Sequence, residues 1–208
     1  MRVLHISDVH VDVPLAEVPW RDWLGKRLLA GIVFALRRRA HFRAVPEKLR
    51  ALAEFAAEQR VDLVLCTGDH TAFGTEPELA RARRDLGVLM ERPAGFVHVP
   101  GNHDLYLPSA LHEGRFERHF GDTLHSDLPE HAADGLWPLV RLFGEDVAVV
   151  AVNSARPNPQ PWRSSGRIPE AQLAALERVL EDPRLGGRFV FVMTHYAPRR
   201  ADGRPDGP

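Results

Sequence analysis

Four short apolar runs, and what stands at their carboxyl ends, constrain this chain more than any other feature of it. Val3 to Ile6, Leu63 to Cys66, Gly95 to Val99 and Phe189 to Met193 each read as a strand, the second and the last as buried ones, and each is followed within a few residues by side chains able to bind a cation. Asp8 and His10 follow the first run, Asp69 the second, Asn102 and His103 the third, and His195 the last. In open α/β sheets ligands bind at that edge, because the strand ends converge there and the loops beyond them are free to carry chemistry. Singly the signals are poor: Asp-x-His arises by accident in many chains, Gly-Asp is a common turn, and most lone histidines are structural. Their agreement at four strand ends is what makes them informative.

The segments between these runs predict an α/β architecture. Pro46 to Gln59 has helical spacing, with Leu49, Leu52, Ala53 and Ala56 on one face, and Glu76 to Met90 is helical by the same criterion. Leu136 to Phe143 and Val147 to Val152 flank Gly144-Glu145-Asp146 at hairpin distance, so part of the sheet is expected to be antiparallel. Pro169 opens another helix. A length of 208 residues with 44% hydrophobic content suits a single domain over 1–208.

Acidic and basic residues nearly cancel, 28 against 27, which gives no global field for nucleic-acid phosphates. Cys66 is the one cysteine, so no internal disulfide forms, and Met1 to His5 lacks a signal-peptide layout. Both features suggest a cytoplasmic setting. Eleven histidines are many for this length, and histidine is the commonest metal ligand.

Carboxylate, imidazole and amide oxygen form a mixed donor set suited to Mn, Fe or Zn, and the lack of further cysteine argues against a thiolate zinc site. One aspartate between two cations can bridge them at roughly 3.5–4 Å, and Asp69 is the candidate. Two divalent cations sharing a water lower its pKa toward neutrality and stabilise a phosphoryl group in transfer. The leaving alcohol then needs a proton, for which His103 is placed beside Asn102, with Asp104 to orient it and keep it charged. Each residue has a plainer reading. Asp8 and Asp69 can cap turns, and His195 can be structural. His70 reads as a loop histidine, Cys66 as packing, and His5, His98, His112, His119, His125 and His131 as core or surface residues.

Asp8-Val9-His10, Gly68-Asp69, Gly101-Asn102-His103-Asp104 and Thr194-His195-Tyr196 together resemble the motif series of the calcineurin-like metallophosphoesterases. The resemblance implies two packed mixed β-sheets with helices outside, a four-layer sandwich. It implies that Asp8, His10 and Asp69 hold one metal, that Asp69, Asn102 and His195 hold the other, and that His103 lies near the substrate phosphate. The family's last motif, Gly-His-x-His, is absent from the sequence, which suggests a truncated form lacking one ligand at each metal. The implied activity is hydrolysis of phosphomonoesters, phosphodiesters or pyrophosphates, against the alternatives of a non-catalytic scaffold or a membrane-surface enzyme acting on a lipid-linked phosphate. The last alternative arises from an insertion at about 19–43. There Trp20, Trp23, Leu24, Leu28, Ile32 and Phe34 alternate with arginines ending in Arg37-Arg38-Arg39, as in an amphipathic helix too short in its apolar stretch to span a bilayer.

Overall fold

The computed structural model describes residues 1–23, 44–158, 164–199 and 203–204. Strand β1 (Val3–Ile6), β2 (Leu63–Cys66) and β3 (Gly95–His98) form a parallel sheet in the order β1-β2-β3. Parallel neighbours need crossover connections, and helices supply them. Helix α1 (Val45–Glu58) links β1 to β2, while α2 (Glu76–Asp85) and α3 (Gly87–Met90) link β2 to β3. Helix α2 starts where it does because Thr75 and Glu78 cap each other's backbone N–H groups, the Thr75 hydroxyl side of the box spanning 3.4 Å and the Glu78 side 3.0 Å. The sequence spacing predicts one helix through Met90. It is broken at Leu86, just before Gly87, a residue that weakens a helix interior by about 1 kcal/mol relative to alanine.

Two short helices, α4 (Pro108–His112) and α5 (Arg115–Phe120), precede the second sheet. That sheet is mixed: β4 (Leu139–Phe143) pairs antiparallel with β5 (Val147–Ala151), and β5 pairs parallel with β6 (Phe189–Met193). The expected hairpin across Gly144 is therefore present, although β4 begins only after Pro138, which has no N–H to give to a ladder. Helix α6 (Glu170–Leu180) carries the chain from β5 to β6.

Alternation along β5 assigns its two faces. Val149 and Ala151 join the main core with Leu63 and Val97 of the first sheet and Leu49, Leu79, Phe116 and Phe120 of the helices. Ala148 and Val150 face the other way, into a smaller core with Val179 of α6. The two sheets thus pack face to face with helices outside, as expected. The last strand departs from expectation. It is not fully buried, since Phe189 is 64% and Val192 49% exposed. Among the described residues β6 is the edge of its sheet, with β5 on one side only, and an edge strand keeps part of its surface in solvent. Of the insertion, Trp20–Trp23 forms a 3-10 turn and residues 24–43 lie outside the described residues, as does the expected amphipathic helix.

Candidate metal centre

Parallel register brings the motif loops to one edge. Ile6, Cys66 and His98 stand abreast at the ends of β1, β2 and β3, so Asp8, Asp69 and Asn102 all emerge just beyond one line. Backbone pairing continues past the strands: the Asp8 N–H donates to the Gly68 carbonyl at 3.1 Å and the His10 N–H to the Asp69 carbonyl at 2.9 Å. Asp8, His10 and Asp69 all take left-handed backbone angles, with φ of 57°, 51° and 56°. Such angles cost a non-glycine residue on the order of 1–3 kcal/mol and collect at functional sites. Glycine lets the loops touch. A Cβ on Gly68, where φ is 106°, would stand 2.7 Å from the Gly101 nitrogen, and one on Gly101 would stand 2.0 Å from Asp69 Oδ1.

Three imidazoles are held in the same way. The Nδ1–H of His10 donates to the Thr71 carbonyl at 3.2 Å, that of His103 to the Ala72 carbonyl at 2.5 Å, and that of His195 to the Thr67 carbonyl at 2.7 Å. Each carbonyl fixes the tautomer and leaves Nε2 to face the site. His10 Nε2 lies 3.5 Å from Asp8 Oδ1 and 3.6 Å from Asp69 Oδ2. His195 Nε2 lies 3.6 Å from Asp69 Oδ1 and 3.2 Å from Asn102 Oδ1. Lone pairs therefore face lone pairs, and either a proton or a cation must separate them. The buried Asp69 carboxylate turns one oxygen to each side, while the His103 N–H donates to Oδ1 at 2.9 Å and fixes its orientation. Ligand atoms of His10, Asp69 and His103 lie within 4.8 Å of one another. The chemistry of this O/N donor set would suit divalent cations.

The electrostatics agree with sites built for cations. Burial is the largest influence on His10 and opposes its charge, but the hydrogen bond to Asp8 and the Asp69 carboxylate outweigh it and raise its pKa above the ordinary imidazole value. The same hydrogen bond from His10 draws Asp8 down to about 2, while burial pushes Asp69 up. A cation at Asp8, His10 and Asp69 must displace the His10 proton. Affinity is expected to weaken as the pH falls through the raised His10 pKa, which begins above 6.5, with release of a proton on loading. Calorimetric titration with Mn in buffers of different ionisation enthalpy measures both; constant affinity from about pH 6 to 8 would remove His10 from the ligand set.

Beneath the site lies a polar chain that includes Asp104, expected from sequence beside the His103 ring, and two histidines, His70 and His98, that the sequence places outside the site. Asp104, His70 and Thr71 are fully buried and His98 nearly so. The Asp104 carboxylate accepts from His70 Nδ1–H at 2.8 Å, the His70 N–H at 3.1 Å, the Thr71 N–H and hydroxyl at 2.9 Å each, and the Gly101 N–H at 2.9 Å. It fastens the Asp69 loop to the Asn102 loop. It is not the group that orients the His103 ring, a role taken by the Ala72 carbonyl, and burial lowers the His103 pKa instead of keeping the ring charged.

Counting protons assigns the rest of the chain. The Thr123 hydroxyl donates to the Phe120 carbonyl at 2.7 Å, so His98 Nε2–H must donate to Thr123 at 2.8 Å and His98 Nδ1 must accept from His70 Nε2–H at 3.1 Å. His70 then carries both protons and pairs as a cation with Asp104. Burial opposes this charge, yet Cys66 and Asp104 beside it raise the His70 pKa well above the usual value, while burial and the His70 charge hold His98 neutral. The signal available in sequence was the position of His70 next to Asp69. Cys66 packs in this core with Sγ 3.5 Å from His70 Nε2.

A second metal-capable group, Glu130, His131 and Asp182, is already occupied by a side chain: Arg184 reaches Glu130 at 2.5 Å and Asp182 at 2.7 Å. The site of interest is therefore the one at the strand ends.

Among solved structures, the chain is similar to a dimetal phosphatase from Danio rerio, at 17% identity and a TM-score of 0.52, over 95% of this chain and 70% of that one. At that identity the likeness speaks for the fold alone. No curated protein matches the chain. The model of the calcineurin-like phosphoesterase family matches residues 1–208, which agrees with the parallel strand-end loops and their Asp, Asn and His donors, and the chain belongs to that family.

Proposed function

We propose that Asp8, His10, Asp69, Asn102 and His195 hold two divalent cations, Mn, Fe or Zn, and that the chain uses them to hydrolyse a phosphomonoester, phosphodiester or pyrophosphate. The observation that carries this reading is the division of the Asp69 carboxylate, Oδ2 toward His10 and Oδ1 toward His195, each 3.6 Å from an Nε2. When bound, such a pair of cations supplies an acidified water and neutralises charge on the phosphoryl oxygens. The protein's own part is to hold the ligands on rigid strand ends and to manage the leaving-group proton. His103 exchanges protons only at Nε2, because its Nδ1–H is committed to Ala72. Burial makes it neutral at rest. An anionic phosphoryl group beside it favours its charged form, so that Nε2 takes up a proton from solvent and passes it to the departing oxygen.

The test is elemental analysis of the purified chain together with hydrolysis of aryl and alkyl phosphate mono- and diesters. Two metals per chain and metal-dependent turnover are expected, and a metal-free chain inert after reconstitution would end the proposal. In His103→Asn, kcat is expected to fall about 10²–10⁴-fold for alkyl esters and less for nitrophenyl esters, whose leaving group needs no proton, with metal content unchanged. Equal losses with loss of metal would make His103 a ligand. The substrate is a phosphorylated compound. For its being lipid-linked, the described support is the exposed indole of Trp20, 76% accessible at the head of the insertion. No helix among the described residues is long and apolar enough to cross a membrane. Co-sedimentation with anionic vesicles separates a membrane-surface substrate from a soluble one.

A further inference from the structure

Tyr196 follows His195 directly, and its phenol points back at the site. The hydroxyl donates to Asn102 Oδ1 at 2.8 Å, and Ser164 Oγ lies 2.6 Å from that hydroxyl. A phenol has one proton. With that proton on Asn102, the Ser164 hydroxyl must donate to the phenol oxygen, so the three groups form a directed chain from Ser164 through Tyr196 to the amide. Ser164 also reaches Asn102 Oδ1 itself, at a longer 3.4 Å. The ring lies directly on Gly166, where an added Cβ would stand 2.3 Å from Tyr196 Cδ2, and the Tyr196 N–H donates to Ser154 Oγ at 3.1 Å. His195 packs edge-on against it, with ring centroids 4.9 Å apart.

Asparagine presents two unlike ends. Only the amide oxygen has lone pairs for a cation, and the NH₂ end repels one. The partner that selects which end faces His195 therefore decides whether Asn102 can be a ligand. We propose that Tyr196, backed by Ser164, is a positioning residue that turns the Asn102 amide oxygen into the Asp69, Asn102 and His195 half of the metal centre and sets the affinity of that half.

The inference rests on the two-metal reading above, and the experiment keeps the two apart. Tyr196→Phe removes one oxygen and keeps the ring on Gly166, so the metal-free protein is expected to melt as the parent does. Partners that orient a metal ligand typically contribute ten- to a hundredfold in affinity, so one of the two cations should bind roughly tenfold more weakly or worse, and the other unchanged. Mn titration by calorimetry reads the affinities. The visible absorption of the Co-loaded protein reads the ligand field, and it should change at one site. Ser164→Ala, which leaves the phenol and its hydrogen bond with Asn158 but removes the Ser164 hydroxyl behind it, should shift the same site by a smaller factor. If the parent protein takes up fewer than two cations, the two-metal reading fails whatever the variants do. If the parent takes up two, then wild-type affinities and an unchanged Co spectrum in both variants would overturn the role of Tyr196. So would a Tyr196→Phe protein that fails to fold while Ser164→Ala binds as the parent does, since the ring would then be structural.

Discussion

Asp69→Asn is expected to abolish binding of at least one cation and to lower turnover by roughly a hundred- to a thousandfold or more, while the metal-free protein becomes no less stable. The two effects have a common origin. Asp69 is 3% exposed, and burial raises its carboxyl pKa above the unfolded value, so near neutral pH the ionised group is less favourable in the folded chain than in the unfolded one. Removing the charge relieves that cost. Asparagine also tolerates the left-handed angle of 56° better than most residues, so the loop need not move. What the substitution destroys is the second acceptor oxygen: an NH₂ then faces Nε2 of either His10 or His195, where a cation would have been. Melting curves of the metal-free forms and metal counts on the loaded forms test this jointly. Two tightly held metals in the variant would remove Asp69 from the bridging position. A large drop in metal-free melting temperature would show instead that the carboxylate is structural.

Much of this site is legible in sequence because strand ends are. An apolar run followed by Asp-x-His or Gly-Asp fixes both where the chain leaves the sheet and which atoms it then offers, and parallel register aligns such ends without further information. Asp104 and His70 are harder to read: adjacency in sequence suggests that Asp104 orients the His103 ring, and the turn after Gly68 suggests a loop position for His70, whereas both side chains are fully buried in the core. Asp104 adjoins His103, but the two side chains diverge, His103 toward the metal-site residues and Asp104 into the core. His70 adjoins Asp69, yet the turn at Asp69 sends its ring down among Phe116 and Phe120, each 5.2 Å away. Those phenylalanines belong to α5, a six-residue helix too short to declare itself by periodicity. The edge exposure of Phe189 and Val192 was likewise invisible, because an apolar run reads the same on an edge as in the middle of a sheet.

The buried Asp104 and His70 pair is where the chain is expected to be least tolerant of change. Asp104→Asn keeps the shape but replaces one acceptor oxygen with a donor, against three backbone N–H groups, a hydroxyl and the His70 ring that all point inward as donors. Breaking one side of a buried ion pair costs about 3–5 kcal/mol, because the partner charge stays behind in a dry core. For a chain of this length that corresponds to a fall in melting temperature of roughly 6–20 °C. The effect has a definite pH profile. Although burial opposes its charge, His70 and the surrounding N–H donors hold the Asp104 pKa far below the ordinary carboxylate range, so its contribution is complete above the unfolded value of 3.8 and is lost only as pH falls toward the folded one. His70 is raised, so its contribution is complete below 6.5 and declines as pH climbs toward its folded value. The gap between parent and variant should therefore be widest from about pH 4 to 6.5 and should narrow in alkali. Thermal melts of the metal-free proteins across that range, with the ¹⁵N shifts of His70 as a direct reading of its two protons, decide the matter. A gap that stays constant into alkaline pH, or a His70 ring carrying one proton at pH 6, would mean that Asp104 binds the loops through neutral hydrogen bonds alone.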